Sequence, residues 1–503
     1  MSVDNCVGSW WVVILDHVKR YRITTNDPHD AFVPSRPAPG TGDPTGTVYQ
    51  CQWLADLKAR LGNAAEEAIP FVCLDNELEI ASGTHQDVHP AAVTYDEMWT
   101  RFCTNAGMIK ATWPNARVVG PANCGWWYYW NSEAGDSDKA AHGSMDLIPW
   151  LLTQFKNHDL AVGRRTLDVL DIHYYPYDDA STSPSLESQA RRFRCVRSFW
   201  DPTYPDETWI GSDAWATQTQ PNRNYVQLIP RFKALIASLY PGTKLGITEW
   251  RITDVTAHIS TALATVDVLG VFGREDLYLA SLWGAPATNE PTYQAFKLYG
   301  NYDGNGSRFE AISVDTQSAD QSQLGAYGAR SPGGDMLTLM FINKNPTSDI
   351  AATVNISGFV PNSTADVYRL YSFIPDAVTH QLPPISNAAA SFEAIFPAYS
   401  ATLIALRLPV PDDYGDGMPN TWEDMYTNPT SPTATPMNPA VNDALADHDG
   451  DGARNIDEYR ERTDPTAPDD VPLVRMAPAR GTNLFFTAGT RIGRRYVLEK
   501  STD

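Results

Sequence analysis

Short apolar runs alternate with helical patterns over the first three hundred or so positions of this chain. Stretches at 69–75, 117–121, 168–174, 244–249 and 277–283 lack the in–out alternation of half-exposed strands, so they read as strands buried on both faces. WWVVILD at 10–16 is a sixth candidate, followed by a Pro/Gly/Asp-rich loop over 26–47. Helical periodicity fills the intervals, near 50–62, 94–110, 145–157, 185–199, 224–239, 257–270 and 291–299. The helix at 94–110 starts at Thr94, with Asp96 and Glu97 where the helix dipole favours negative charge. Strands alternating with helices build a parallel sheet with an outer helical layer, and the expected fold over 1–308 is a (β/α)8 TIM-like barrel. Such a barrel closes with eight strands; five or six are legible here, so the barrel is expected to be incomplete at its N-terminus.

The period then switches to two. LGAYGAR (324–330), MLTLMFINK (336–344), ATVNISGF (352–359), ADVYRLYSF (365–373), SFEAIF (391–396) and ATLIALRL (401–408) predict an all-β sandwich over 309–408. Pro409-Val410-Pro411 opens an acidic, apolar-poor linker over 409–470, and 471–503 reads as the start of a further β-domain that stops early.

Charge narrows the partners. With 60 acidic against 38 basic residues and a net charge of −22, the chain is a poor match for nucleic acid. No apolar run is long enough to span a membrane, and a soluble monomer acting on a neutral polymer is expected. The 15 Trp and 23 Tyr suit a sugar-binding cleft, where ring faces stack on pyranoses, although most aromatics in any protein are core. The six cysteines (Cys6, Cys51, Cys73, Cys103, Cys124, Cys195) show no CxxC pair and no zinc spacing; disulfides are possible but not required, and Cys73 reads as a small core residue.

The sharpest chemistry lies in IPFVCLDNELEIASGTHQDVHP, residues 69–90. A buried strand there ends in Asp75-Asn76-Glu77, and KLGITEW at 244–250 repeats the design with Glu249. Strand-end carboxylates sit on the open face of a (β/α) barrel, and two of them suggest the acid and nucleophile of a glycosidase. Asn76 is a candidate donor to a sugar 2-hydroxyl, or else a turn amide. Tyr174 ends the strand at 168–174 and either orients Glu249 or belongs to the core. Trp250 flanks Glu249, Trp283 ends the last barrel strand as a candidate floor for the reacting sugar, and Trp126, Trp127, Tyr128 and Tyr129 follow a strand end on the same face. Four consecutive aromatics cannot all be core, so some of them are expected to line sugar subsites. His85, Asp87 and His89 have metal-like spacing but read better as a turn network.

A separate motif, DHDGDGARNIDE at 447–458, fits the calcium loop D-x-D-x-D-G-x5-E. Asp447, Asp449 and Asp451 supply oxygens at positions 1, 3 and 5, Ala453 its carbonyl, and Glu458 a closing carboxylate. Structural calcium is the one cofactor expected; catalysis needs none. A partial copy starts at Asp412, with Asp416, Gly417 and Glu423, but Tyr414 occupies position 3. The pair resembles the calcium repeats that join modules in bacterial secreted proteins.

LDNELEIASGTHQDVHPAAVTYDE, VVGPANCGWWYYW, LDVLDIHYYP, FWDPTYPDETWIG, GITEW and DVLGVFGRED, in this order, resemble glycoside hydrolase family 44, a family of secreted endo-β-1,4-glucanases and xyloglucanases. The likeness runs from about residue 26 to residue 408. It implies that Glu77 is the acid/base after the fourth barrel strand and Glu249 the nucleophile after the seventh, in a retaining endo-β-1,4-glucanase acting on β-glucan. It also implies an extracellular protein, with Met1 a truncated or artificial start, since no signal peptide is visible. Leu78 stands where the family usually has Pro, and Trp250 where it often has Tyr. The competing expectation is a non-catalytic, glucan-binding relic left by the incomplete barrel.

Overall fold

The computed structural model describes residues 11–13, 50–61, 70–86, 89–212, 223–255, 257–371, 380–409, 416–427, 434–461, 463–468, 474–480 and 483–488. Six parallel strands form its first sheet: β1 (Trp11–Val13), β2 (Phe71–Cys73), β3 (Arg117–Asn123), β4 (Val169–Tyr174), β5 (Lys244–Trp250) and β6 (Leu279–Leu282), paired in chain order. Register runs Val12↔Val72, Val72↔Val118, Leu170↔Leu245 and Gly246↔Leu279. Among the described residues, the helices of ten or more residues that connect or cover them are α1 (Gln50–Leu61), α2 (Tyr95–Thr112), α3 (Leu147–Val162), α4 (Leu186–Cys195), α5 (Leu228–Leu239), α6 (Ile259–Arg274) and α7 (Pro291–Gly300). The sheet curls without closing: among the described residues β1 and β6 remain its two edges.

Local sequence accounts for these elements. The Thr94 side chain accepts the Glu97 N–H at the start of α2, and the buried face of that helix (Tyr95, Met98, Phe102, Ala106, Ile109) repeats every three or four residues. Gly163, at φ 70°, ends α3 in the left-handed conformation that only glycine adopts without strain. On the concave side of the sheet Cys73, Val119 and Val169 pack with Phe71 and Leu279, bringing β2 and β6 toward each other; the rings of Phe71 and Tyr278 lie 6.1 Å apart. This apolar plug fills the N-terminal end of the half-barrel and leaves the C-terminal end for polar side chains.

A second layer follows. Strands β7 (Ile312–Val314), β8 (Leu324–Arg330), β9 (Met336–Asn343), β11 (Ala365–Tyr371), β12 (His380–Ile385) and β14 (Ser400–Arg407) form an antiparallel sheet in the order β12-β11-β14-β9-β8-β7. Strands β10 (Ile350–Asn355) and β13 (Ser391–Phe396) form a second, and the two share a core of Leu337, Leu339, Phe341, Val354, Phe392 and Phe396, a β-sandwich. Both strands absent from the sequence reading, β7 and β12, are edges; β12 carries Pro383 and Pro384, which edges tolerate. Helix α6 is buried almost all round because the parallel sheet lies on one side and the sandwich on the other. Within that junction Asp267 pairs with Lys344 at 2.7 Å and accepts the Tyr327 hydroxyl at 2.7 Å. Five cysteines, Cys51, Cys73, Cys103, Cys124 and Cys195, are free thiols. The strand pair Val474–Arg480 and Asn483–Ala488 is antiparallel. Among the described residues no helix is long and apolar enough to cross a membrane.

Candidate active site

The C-terminal ends of β2, β4 and β5 converge on one cluster. After β2, the Leu74 N–H still donates to the Val119 carbonyl at 2.9 Å, and the chain then turns sharply. Glu77 has φ 52° and ψ 45°, a left-handed conformation that is strained for a residue with a Cβ. Its N–H donates to the Ala122 carbonyl at 3.1 Å, and Leu78 behind it is fully buried, so the turn is pinned from both sides. Leu78 thus keeps the turn as an apolar anchor at the position where proline was expected.

Strand β4 sorts its side chains by the two-residue period. Asp171 and His173, with Tyr175 just beyond, face the concave side; Tyr174 faces the helices. On β5, Glu249 faces the concave side and Trp250 the helices. One oxygen of Glu77, one of Glu249 and a ring nitrogen of His173 lie within 4.8 Å of one another. The His173 Nδ1 is 2.7 Å from Glu77 Oε1 and 3.3 Å from Glu249 Oε2. The Tyr175 hydroxyl donates to Glu249 Oε2 at 2.6 Å. Behind them Asp171 accepts the Thr248 N–H at 2.9 Å and its hydroxyl at 2.5 Å, tying β4 to β5.

The electrostatics follow from burial and these contacts. Burial opposes charge on His173, but its hydrogen bond to Glu77 and the charges of Glu249 and Asp171 outweigh it, raising its pKa to about 9. These contacts favour the imidazolium form of His173 between the two glutamates. Burial raises the Glu249 pKa, helped by Glu77 and Asp171 and opposed by His173 and the Tyr175 hydroxyl. Glu79, fully buried two residues beyond Glu77, is pushed up to about 8 by burial, while one oxygen accepts the Cys124 N–H.

Of the residues singled out in the sequence, Glu77 and Glu249 come together, Asn76 is exposed beside them, and Trp283 stands 46% exposed at the end of β6. Gly284 (φ 78°) lets the chain turn there: a Cβ would lie 2.7 Å from the Arg251 guanidinium. Trp127 and Tyr128 are half-buried. Three expectations are corrected. Trp126 is 1% exposed and packs edge-on against Tyr129 and Trp130, so it is core. Tyr174, fully buried on Phe199, does not touch Glu249; strand alternation gives that contact to Tyr175. Trp250 is 1% exposed and packs against Phe199, Phe272 and Phe296, on the opposite face of β5 from Glu249. His89 bonds Glu97 at 2.6 Å and His85 bonds Thr84 at 2.9 Å, as a turn network would; Asp87 lies outside the described residues. The acidic loop 447–458 adjoins a separate small core.

Sequence reasoning missed His173, Tyr175 and Trp209. The first two were legible as the inward set of β4, two and four residues after Asp171. Trp209 is 42% exposed and donates its indole N–H to the Tyr175 carbonyl at 3.4 Å, beside the cluster. Tyr129 supports β4 from behind through its hydroxyl, which donates to the His173 carbonyl.

Residues 24–178 match the family model for glycoside hydrolase family 44. Endoglucanase A of Paenibacillus lautus is 32% identical over 402 residues, covering 76% of this chain and 56% of that protein. The chain thus spans about half the length of that curated relative. Among solved structures, CelM2, a bifunctional glucanase-xylanase from a metagenome library, is 35% identical over 72% of each chain, with a TM-score of 0.66. Cel44A, a family 44 endoglucanase from Clostridium thermocellum, is 30% identical over 75% of this chain and 73% of its own, also with a TM-score of 0.66.

Proposed function

Because the chain belongs to glycoside hydrolase family 44, we propose that it hydrolyses β-1,4-linked glucans of the cellulose or xyloglucan type internally, with retention of anomeric configuration. The observation that carries this reading is the convergence of the Glu77 and Glu249 carboxylates at strand ends, one oxygen of each within 4.8 Å of the other, the kind of close approach that a nucleophile and an acid/base acting on one glycosidic bond require. Glu77 protonates the leaving glycosidic oxygen. Glu249 attacks the anomeric carbon, forming a glycosyl-enzyme. Glu77 then takes a proton from the water that releases the sugar.

The neighbours fit these roles. Tyr175 and His173 both hold Glu249 Oε2, which leaves Oε1 to face the sugar. The His173 imidazolium, 2.7 Å from Glu77 Oε1, stabilises the carboxylate that Glu77 becomes once it has given its proton to the leaving oxygen. Trp209 and Trp283 offer exposed ring faces for pyranoses, and Asn76 an amide for a hydroxyl. The relic reading has less support, since Glu77, His173, Tyr175 and Glu249 come from β2, β4, β5 and the turns that follow them; of the groups named, Trp283 alone follows an edge strand. The same reading makes the protein an extracellular monomer.

Reducing-sugar release from soluble xyloglucan, carboxymethylcellulose and glucomannan tests this proposal. Release from a β-1,4-glucan, abolished in Glu249→Gln, is expected. No release from any of the three by folded wild-type protein would overturn it.

A further inference from the structure

Outside the active site, acidic side chains also gather in the loop at 447–458. We propose that this loop binds one calcium-class divalent cation, and that the ion braces the small unit made of residues 416–427 and 434–468.

Spacing alone would make this no more than an acidic loop. The decisive side chain is Glu458. It is 1% exposed, and neither of its carboxylate oxygens meets a hydrogen-bond donor among the described residues. It lies within the field of Asp447, Asp449 and Asp451. Asp449, 7% exposed, also has a buried Oδ2 without a donor, as does Asp451. One oxygen from each of the three aspartates lies within 4.8 Å of the others. A buried carboxylate is stable only when hydrogen-bonded, paired or bound to a metal. No lysine or arginine among the described residues pairs with these four. Arg454, within the loop, is bonded to Asp457 at 2.6 Å, and His448 turns toward Asp443 and Asn455.

The backbone is shaped to leave the carboxylates facing inward. Asp447 accepts the N–H of Gly450 at 2.7 Å and of Gly452 at 2.9 Å, and Gly452 has φ 96°. All candidate donors are oxygens, with Ala453 offering its carbonyl. Such a set suits calcium and is a poor match for zinc or copper, which favour nitrogen and sulfur.

The mechanical role follows from the size of the core. Met418, Trp422, Met437, Ala444 and Ile456 are its buried apolar side chains among the described residues. A core this small does not hold a unit of that length by itself and needs a staple. The short helix α8 (Asn455–Glu461) carries both Ile456, in that core, and Glu458, at the loop, so ion and core hold each other in place. The ion supplies part of the unit's folding free energy.

The test uses the full-length protein, stripped with chelator and desalted, and titrated calorimetrically with calcium chloride. Calcium binding is expected, weakened more than about tenfold in Glu458→Gln and in Asp449→Asn. Excess magnesium should not displace it. Calcium should slow tryptic cleavage at Arg454 in the wild type, with glucan hydrolysis unchanged in both variants. Absence of calcium binding by the wild type would overturn the proposal. So would affinity unchanged in both variants, which would put the bound ion elsewhere, for example at the Asp416, Glu423 and Asp443 trio. If one variant fails to fold, the other variant still locates the ion: unchanged affinity there overturns the proposal and weakened affinity supports it.

Discussion

Two carboxylate clusters of this chain look alike as lists of residues and behave differently as chemistry. Glu77 and Glu249 meet around His173; Asp447, Asp449 and Asp451 meet in front of Glu458. The first cluster carries its own cation, an imidazolium raised to about 9, and its own phenol donor, Tyr175. The second accepts backbone N–H groups, and among the described residues no lysine or arginine pairs with it. A cluster neutralised by protein protons can move those protons, as glycoside hydrolysis requires. One that is not neutralised needs an ion, and serves structure. The distinction lies in the second ring of groups, not in the carboxylates themselves.

The largest expected effect is at Glu249, the proposed nucleophile. Glu249→Gln should lower turnover on soluble glucan by at least about 10³-fold while glucan retention in affinity electrophoresis persists. Near wild-type turnover would place the reaction elsewhere. Next is a pair that separates core from cleft. Trp126→Ala should cost about 3–5 kcal/mol of stability in chemical denaturation, since it empties a fully buried site. Trp283→Ala should leave the melting temperature nearly unchanged and raise KM about three- to tenfold, through lost ring stacking. Equal effects of the two on stability would contradict the assignment of Trp283 to the open face.

Tyr175→Phe removes one hydrogen bond to a charged group, worth about 1.5–3 kcal/mol. Because that bond holds the Glu249 pKa down, the acid limb of the kcat/KM profile should move to higher pH as kcat falls. Tyr174→Phe should leave the profile where it is. A shift in Tyr174→Phe instead would mean that β4 alternates the other way.

Proton linkage gives the smallest signal. Folded Glu79 holds a proton that the unfolded chain releases, between about 4.5 and about 8, and folded His173 does the same between about 6.5 and about 9. In both windows the unfolded state binds fewer protons, so stability must fall as pH rises. Melting temperature at fixed calcium should therefore decline from pH 5 to pH 9, and His173→Gln should flatten the upper part of that decline. A rise over the same range would show that His173 is neutral between the glutamates.

Much of this molecule was legible in the residues. The apolar runs marked all six strands of the parallel sheet, and the strand-end rule picked out both glutamates. What failed was direction. Tyr174 and Trp250 were placed by adjacency to a site, whereas a strand turns neighbours to opposite faces, so Tyr175 holds Glu249 and Trp250 fills the core. His173 was passed over because a histidine in an apolar run reads as core until the distant carboxylates that charge it are in view. Trp126 was misread for a related reason: a run of aromatics on a short turn divides between inside and outside, and only packing says which is which. The edge strands β7 and β12 escaped because one is short and the other contains two prolines.

The most direct test of the contrast between the clusters is proton NMR of a cello-oligosaccharide hydrolysed by the wild-type protein in EDTA, read in the first minutes before mutarotation. A Glu77–Glu249 pair this close, charge-balanced by His173 and independent of the calcium loop, predicts that the β-anomer appears first and at the same rate as in calcium. The α-anomer appearing first, or hydrolysis that stops when calcium is removed, would contradict it.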